Sequence, residues 1–287
     1  EVVEVGSSVR SFQPGDLVAS PFTTCCDTCD YCHGGLTSRC IEGQLFGWVE
    51  GGKGLHGAQA EYVRVPLADS TLVEIPDRVS PEEALLAGDV MATGWFAVES
   101  AGVEWPKGPQ RVAVVGCGAV GLMACLAAVD LGGAKVYAID TVPERLALAR
   151  TFLAQPIHLA EDPVAVLRRE SRDRGADVVI EAVGSPAAGR LAYDLLRPGG
   201  TLVSVGVHTA PHFPFSPAEA YDKNLTFATG RCPARRILGE LLGKPRFSRW
   251  DVTQVITHRL PLSEGPSAYE MFAERPIRSA AQATERP

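Results

Sequence analysis

Four cysteines near the start of the chain have a spacing that suits a metal ion. They form the pattern C-x2-C-x2-C-x7-C and are Cys26, Cys29, Cys32 and Cys40. Four thiolates complete the tetrahedral coordination that Zn²⁺ prefers, and spacers of two residues let successive cysteines curl around one ion. Because sulfur fills every coordination position, none stays open for water or substrate. The pattern therefore predicts a structural zinc site within residues 25–40.

The sequence leaves open the roles of two residues next to this cluster, and it leaves one alternative to a metal site. Cys25 directly precedes Cys26 and is out of register with the other cysteines, so the sequence assigns it no role. His33 could compete as a nitrogen ligand, but it directly follows Cys32, and we expect it to face solvent. Free or oxidised thiols are the alternative to a metal. Clustering of five of the eight cysteines between residues 25 and 40 favours the metal and a reducing, cytoplasmic compartment.

A glycine-rich turn further along the chain has the spacing of a dinucleotide-binding loop. Residues 111–115 predict a strand, 122–131 predict an apolar helix, and Gly116, Gly118 and Gly121 lie between them as G-x-G-x-x-G. The first glycine allows a tight turn, the second lets a pyrophosphate approach the backbone, and the third lets helix and strand pack closely. The helix N-terminus offers free N–H groups to the phosphates. Glycines that serve packing alone are the alternative, which the surrounding pattern disfavours.

An acidic residue at the end of the next predicted strand indicates which cofactor this loop binds. Residues 135–140 end in Asp140, about twenty residues after the glycines. A carboxylate there accepts hydrogen bonds from the adenosine ribose and repels a 2′-phosphate. The sequence therefore favours NAD over NADP, although Arg145 keeps NADP open.

The elements around these motifs predict an α/β protein with a second, β-rich part. Apolar strands at 111–115, 135–140, 177–182 and 201–207 alternate with helical patterns, and a further strand follows at 224–230. This alternation is typical of a doubly wound parallel Rossmann sheet that is covered on both faces. The first ninety residues, with runs such as 60–65, predict a small all-β unit. Beyond residue 231 we expect a helix, a strand at 254–260 and a helix at 263–273.

Composition argues against two classes of partner. The net charge of −7 does not suit a nucleic acid, whose phosphates need a surplus of Lys and Arg. Residues 112–129 are uncharged over a length that could cross a bilayer, but a glycine-rich turn at that depth would leave backbone groups unsatisfied. The first residues have neither the basic nor the apolar region of a leader peptide. We expect no nucleic acid and no membrane as partner.

The cysteine lobe followed by the glycine loop resembles the zinc-containing medium-chain dehydrogenase/reductase family, which includes alcohol, polyol and threonine dehydrogenases. Residues 15–18, 56–62, 88–95, 177–184 and 202–207 resemble segments of the same family. The resemblance implies a GroES-like catalytic domain at residues 1–91, a Rossmann dinucleotide-binding domain at 92–230, and a return to the catalytic domain at 231–287. The polar tail 274–287 predicts disorder.

The resemblance also implies an activity and a set of site residues. Family members transfer a hydride between an alcohol or aldehyde substrate and a nicotinamide cofactor, often as dimers or tetramers, so we expect a homo-oligomer. Asp89 corresponds to a ligand of the family's catalytic zinc, and Thr93 borders the nicotinamide. The residues expected at the cofactor are Gly116, Gly118, Val120, Gly121, Asp140, Arg145, Val183, Val205 and Val207.

The catalytic zinc site is incomplete in this sequence. No cysteine precedes Cys25 and no Gly-His-Glu segment occurs, whereas the family takes two zinc ligands from such positions. Asp89 could instead cap a helix or pair with a base. We therefore expect an N-terminally truncated enzyme, and the alternative is a non-catalytic remnant that binds NAD and zinc. The zinc-free quinone reductase branch of the superfamily is disfavoured, because it generally lacks the cysteine lobe.

Overall fold

The computed structural model describes residues 1–102, 110–132, 135–243 and 250–274. Short elements make up the first eighty residues: β1 (Val18–Ala19), α1 (Asp30–His33), β2 (Trp48–Glu50), β3 (Lys53–Leu55), α2 (Ala68–Thr71) and β4 (Val73–Glu74). β1 pairs with β4 and β2 pairs with β3, both antiparallel. Most of the backbone between these strands follows irregular loops that carry the cysteine lobe.

The expectation of an all-β unit over the first ninety residues is wrong in detail. Two short α-helices, α1 and α2, and a 3₁₀ turn at Thr37–Arg39 interrupt the segment, and residues 60–65 form no strand. Glu61, Tyr62, Val63 and Arg64 are all exposed. A strand needs a partner for its backbone groups, and no strand of the described ranges pairs with this run. Its β-branched and aromatic residues alone therefore do not make it a strand.

Two helices lead from this part into the sheet. α3 (Pro81–Ala87) begins with a capping box, in which Ser80 Oγ accepts from the Glu83 N–H at 3.2 Å and the Glu83 carboxylate accepts from the Ser80 N–H at 2.7 Å. This reciprocal pair satisfies two backbone donors at the start of the helix. α4 (Val90–Ser100) follows after Gly88 and Asp89, so Asp89 occupies the N-cap position of α4.

A six-stranded parallel sheet forms the centre of the molecule. Its elements are β5 (Arg111–Val115), α5 (Ala119–Asp130), β6 (Lys135–Asp140), α6 (Pro143–Thr151), β7 (Gln155–His158), α7 (Pro163–Ser171), β8 (Ala176–Glu181), α8 (Pro186–Leu195), β9 (Leu196–Ser204), α9 (Pro217–Asp222) and β10 (Thr226–Thr229). The strand order is β10-β9-β8-β5-β6-β7, with every neighbouring pair parallel. This order is that of the Rossmann fold, and the expected doubly wound sheet is confirmed. The crevice between β5 and β8 is the topological switch point, where ligands of such sheets bind.

Apolar layers cover both faces of the sheet. Val112 and Val114 of β5 face the layer that contains α4 and α5, whereas Ala113 and Val115 face the layer of α7 and α8. Side chains alternate between the faces of a strand, so β5 must be apolar throughout to bury both sides. This double burial explains why its sequence is a continuous apolar run.

The last described part contains α10 (Ala234–Gly243) and α11 (Gly265–Glu274). The strand expected at 254–260 is wrong: a 3₁₀ turn spans Val252–Val255, and residues 257–260 are exposed and irregular. The helix expected at 263–273 is confirmed as α11. The tail expected to be disordered lies, beyond Glu274, outside the described residues. Within the described ranges no helix has the length and apolarity needed to cross a bilayer.

Gly94 allows α4 and α5 to pack closely, which generates a prediction about stability. A Cβ at Gly94 would lie 2.6 Å from the Ala124 nitrogen. We expect Gly94→Ala to lower the free energy of unfolding by about 1–3 kcal/mol, because overpacking outweighs the better helix propensity of Ala. The control is Gly239→Ala in α10, where a Cβ would meet only the flexible end of Arg235 at 3.2 Å. Equal stability of the two variants in urea denaturation would contradict this account.

Candidate functional site

The four cysteines of the predicted zinc site converge in the structure. Their Sγ atoms all lie within 4.8 Å of one another. A tetrahedral zinc with Zn–S distances of about 2.3 Å places its sulfurs roughly 3.8 Å apart. The observed group is therefore close to the size that one zinc ion requires. α1 carries Cys32, and a 3₁₀ turn at Thr37–Arg39 returns the chain to Cys40.

Backbone and hydroxyl donors surround this sulfur cluster unevenly. The Cys26 N–H donates to Cys40 Sγ at 3.2 Å, and the Thr28 hydroxyl donates to Cys26 Sγ at 3.4 Å. The hydrogen bonds from Thr28 lower the pKa of the Cys26 thiol to about 6, whereas burial raises the pKa of Cys40 to about 12. Zinc binds thiolates, so it would release the protons that the buried cysteines hold. The donor set fits a zinc ion, with all four cysteines as ligands.

Cys25 stands apart from the four clustered cysteines. Its thiol donates to the Ser70 carbonyl oxygen at 3.3 Å, and its N–H donates to the Thr71 hydroxyl at 3.1 Å. Burial raises the pKa of this thiol to about 11, which keeps it protonated near neutral pH. His33 is exposed and also stands apart from the group. The structure thus separates Cys25 from its neighbour Cys26, which the sequence left open.

The cysteine lobe is joined to the chain that follows the sheet. The Ser38 hydroxyl donates to the Arg231 carbonyl oxygen at 2.9 Å. Arg235 Nε donates at 2.8 Å to the Ser70 carbonyl oxygen, the atom that also accepts from Cys25. These bonds connect the lobe to the start of α10.

The glycine-rich turn has the geometry that its sequence predicts. Gly116 adopts φ +90°, a left-handed conformation that favours glycine. A Cβ at Gly121 would lie 1.7 Å from the Gly116 carbonyl oxygen, so only glycine permits this approach of helix and strand. Around Gly118 nothing lies within 4 Å of a Cβ position. The turn therefore leaves open space in front of the N-terminus of α5, where Val120 occupies its second position.

Asp140 at the end of β6 is tied to this turn. Its Oδ2 accepts from the Cys117 N–H at 2.7 Å, and its Oδ1 accepts from the Thr141 and Val142 N–H groups at 2.7 and 2.9 Å. A carboxylate offers about four lone-pair sites, so these three donors leave room for one more. Arg145 lies beside it, with Nη1 at 3.5 Å from Oδ2.

Two exposed valines lie at the carboxyl edge of the sheet, and we call Val183 and Val207 the valine edge. Val183 is 52% exposed and Val207 is 85% exposed. A Cβ at Gly116 would lie 2.4 Å from Val183 Cγ2, so the valine edge adjoins the glycine turn. Val205 instead packs partly buried against the core. The valine edge therefore presents an exposed apolar surface beside the glycine turn.

Asp89 and Thr93 lie together at the start of α4. The Thr93 hydroxyl donates to Asp89 Oδ1 at 3.4 Å, and Asp89 makes no side-chain bond that caps the helix. Although water reaches Asp89, the protein packed around it raises the pKa of its carboxyl. The buried thiol of Cys232 lies within hydrogen-bonding reach of Thr93, a neighbour that sequence spacing did not indicate. In the described ranges no group of three metal-ligating side chains forms around Asp89.

Sequence reasoning also missed a group of hydrogen-bonded polar residues at the carboxyl edge of the sheet, two of which are buried. Glu181, Ser204 and His208 are joined by hydrogen bonds of 2.7–2.9 Å. Glu181 and Ser204 face each other across β8 and β9 in register. The signal in the sequence was Glu181, a charged residue at the end of an apolar strand. A charge is costly to bury without partners, so a buried Glu181 required polar neighbours.

Comparisons with known proteins agree with this architecture. A family model described as "Alcohol dehydrogenase GroES-like domain" matches residues 1–77, and one described as "Zinc-binding dehydrogenase" matches residues 119–239. Zinc-type alcohol dehydrogenase B of Aspergillus flavus is 41% identical and is aligned over 95% of this chain and 64% of its own length. Medium chain reductase/dehydrogenase ucsI of Acremonium sp is 42% identical over 77% of this chain and 76% of its own length.

A comparison with solved structures also finds an alcohol dehydrogenase of similar architecture. Alcohol dehydrogenase TADH from Thermus sp. ATN1 superposes with a TM-score of 0.86 at 39% identity, covering 94% of this chain and 78% of that chain. The chain belongs to the zinc-containing medium-chain dehydrogenase/reductase family, as its motifs predicted. It spans less than two thirds of the length of the Aspergillus relative.

The adjacent cysteines 25 and 26 allow a matched test of the metal site. We expect the unsubstituted chain to bind about one zinc ion and Cys26→Ser to lose most of it, because a neutral hydroxyl is a poor zinc ligand. Cys25→Ser should keep its zinc, since a hydroxyl can still donate to Ser70. Zinc content after dialysis, measured by mass spectrometry, checks both variants. Equal zinc in the two variants would refute the assignment of ligands.

Proposed function

We propose that the protein binds NAD at the carboxyl edge of its parallel sheet and holds the nicotinamide for hydride transfer to or from a small alcohol, polyol or aldehyde. The observation that carries the proposal is the glycine turn between β5 and α5, with open space at Gly118 and Asp140 tied to its backbone. Family membership supports it. The free N–H groups of α5 suit the pyrophosphate, and the remaining acceptor site of Asp140 suits a ribose hydroxyl.

Each residue of the site has a part in holding the dinucleotide under this proposal. Asp140 accepts from the adenosine ribose and Arg145, beside it, moderates its charge. The valine edge and Thr93 would border the nicotinamide and hold its ring beside Asp89, where it would supply or accept the hydride. Fixing the cofactor this way contributes to rate by removing orientational freedom before reaction.

The chemistry of a catalytic zinc is a separate matter. An open zinc ion polarises an alcohol oxygen as a Lewis acid, but such a site takes about three protein ligands. Among the described residues, Asp89 and the nearby thiol of Cys232 do not form a group of three metal-ligating side chains with any third residue. They do not by themselves fit a catalytic zinc, and no step through one is derived for this chain.

This observation favours a second candidate function, a protein that binds NAD and structural zinc without turnover. The two functions differ in one assay. Formation of NADH from NAD, followed at its absorbance with a panel of primary, secondary and polyhydric alcohols, supports the oxidoreductase. Tight NADH binding without turnover of any alcohol supports the non-catalytic protein.

We also propose where the protein acts in the cell and that it forms a homo-oligomer. Thiols that bind zinc persist in a reducing compartment, so we propose a cytoplasmic site of action. β10 lies at the edge of the sheet, and a homo-oligomer that continues the sheet through this edge suits the dimers and tetramers of the family.

A substitution at Asp140 tests the cofactor assignment. We expect Asp140→Asn to weaken NAD binding by roughly 10- to 100-fold, the effect of about 1.5–3 kcal/mol for hydrogen bonds to a charged group. Binding of NADP should weaken less, because the repulsion of its phosphate is removed. Titration of NADH and NADPH by fluorescence gives both affinities.

The matched control for this substitution is Asp173→Asn. Asp173 is exposed between α7 and β8, at the opposite edge of the sheet, and has φ +62°, which Asn tolerates. Its NADH affinity should equal that of the unsubstituted chain. Unchanged NADH affinity in Asp140→Asn would contradict the contact with the ribose.

A further inference from the structure

A hydrogen-bonded group of three residues lies at the carboxyl edge of the sheet, beside the valine edge, and we call it the Glu181 group: Glu181, Ser204 and His208. Glu181 is fully buried at the end of β8, and Ser204 is buried at the end of β9. His208 lies four residues further on, and its side chain is 30% exposed. Only the histidine therefore joins the buried carboxylate to the solvent-facing surface.

The carboxylate of Glu181 is completely satisfied by its surroundings. Oε1 accepts from the N–H groups of Val183 and Gly184 at 2.8 and 2.7 Å. Oε2 accepts from Ser204 Oγ at 2.9 Å and lies 2.7 Å from His208 Nε2. A carboxylate has about four lone-pair sites, and a buried charge without partners is costly. The four donors are therefore held in place by one buried charge.

The main chain of Glu181 extends this arrangement to the neighbouring turn. Its carbonyl oxygen accepts from the N–H groups of Val205 and Gly206 at 2.9 and 3.2 Å. The turns after β8 and β9 also touch directly, since a Cβ at Gly206 would lie 2.2 Å from the Gly184 nitrogen. Each turn carries one residue of the valine edge. One residue thus fixes both turns that form this edge.

We propose that His208 is a positioning residue for the nicotinamide end of the cofactor, because it anchors the turn of Val207 to the buried carboxylate of Glu181. The inference rests on the proposed function, since it concerns the place where the nicotinamide ring binds. His208 directly follows Val207, which is 85% exposed and makes little core contact of its own. The Val207 main chain packs on Gly184, where a Cβ would lie 2.5 Å from the Val207 carbonyl oxygen. Without the bond from Nε2, the turn keeps this packing and the backbone bonds before Val207, but it loses the side-chain anchor that follows Val207 and helps to set the position of its side chain.

The experiment compares two ligands that differ only at the nicotinamide. NADH contacts the whole site, whereas ADP-ribose has the adenosine, pyrophosphate and second ribose but no nicotinamide. We expect His208→Ala to weaken NADH binding about tenfold and to leave ADP-ribose binding unchanged. His208→Gln should recover most of the NADH affinity, because its amide N–H can still donate to Glu181. His212→Ala, an exposed histidine on the same loop, is the matched control and should bind both ligands normally.

The outcomes separate this inference from the proposed function. Selective loss of NADH affinity in His208→Ala, with recovery in His208→Gln, supports the positioning role. Equal loss for NADH and ADP-ribose would show that His208 stabilises the fold only, and unchanged NADH affinity would show that it has no role; both overturn the inference. If the unsubstituted chain binds ADP-ribose and NADH equally tightly, the nicotinamide makes no contact and the inference fails, while dinucleotide binding stands. If it binds neither ligand, the proposed function itself fails.

Discussion

The close contact between Gly116 and Gly121 is the constraint on which the proposed cofactor site depends. Any side chain at residue 121 would overlap the carbonyl oxygen of residue 116, so α5 can start directly over β5 only with glycine there. This approach directs the Cys117 N–H to the carboxylate of Asp140 at the end of the next strand. It also brings the turn against Val183 at the end of β8. The ends of β5, β6 and β8 therefore meet at one point, because Gly116 and Gly121 allow α5 to start directly over β5.

A different force holds the cysteine lobe. The lobe buries few apolar residues, and its buried cluster consists of cysteines. Metal binding can replace a hydrophobic core in such a segment, since the binding free energy is then also folding free energy. The lobe in turn contacts the start of α10 through Ser38 and Arg235, and α10 packs its apolar side on the core beside α4. The cysteine cluster and the sheet are therefore parts of one connected structure.

Local sequence patterns predicted the features that depend on the spacing of residues close together in the chain. The cysteine spacing predicted the cluster, and the glycine spacing between a strand and a helix predicted the turn. β7 was missed because Pro156 argues against a strand, yet an edge strand tolerates the missing donor. The strand expected at 254–260 failed because alternation alone does not supply a partner strand.

Features that depend on distant pairing could not be predicted from the sequence. Glu181 and Ser204 meet because β8 and β9 are neighbours in register, a fact that their own segments do not contain. Cys25 is distinguished from Cys26 only by Ser70 and Thr71, which lie some 45 residues further along the chain. We propose that one chain holds zinc in its four cysteines and NAD on its glycine turn. The sharpest test is a crystal structure of the protein with NADH, with data collected at the zinc absorption edge. We expect one anomalous peak among the four sulfurs, with the pyrophosphate at Gly118 and a ribose on Asp140. Nucleotide bound elsewhere, or no anomalous peak among those sulfurs, would contradict it.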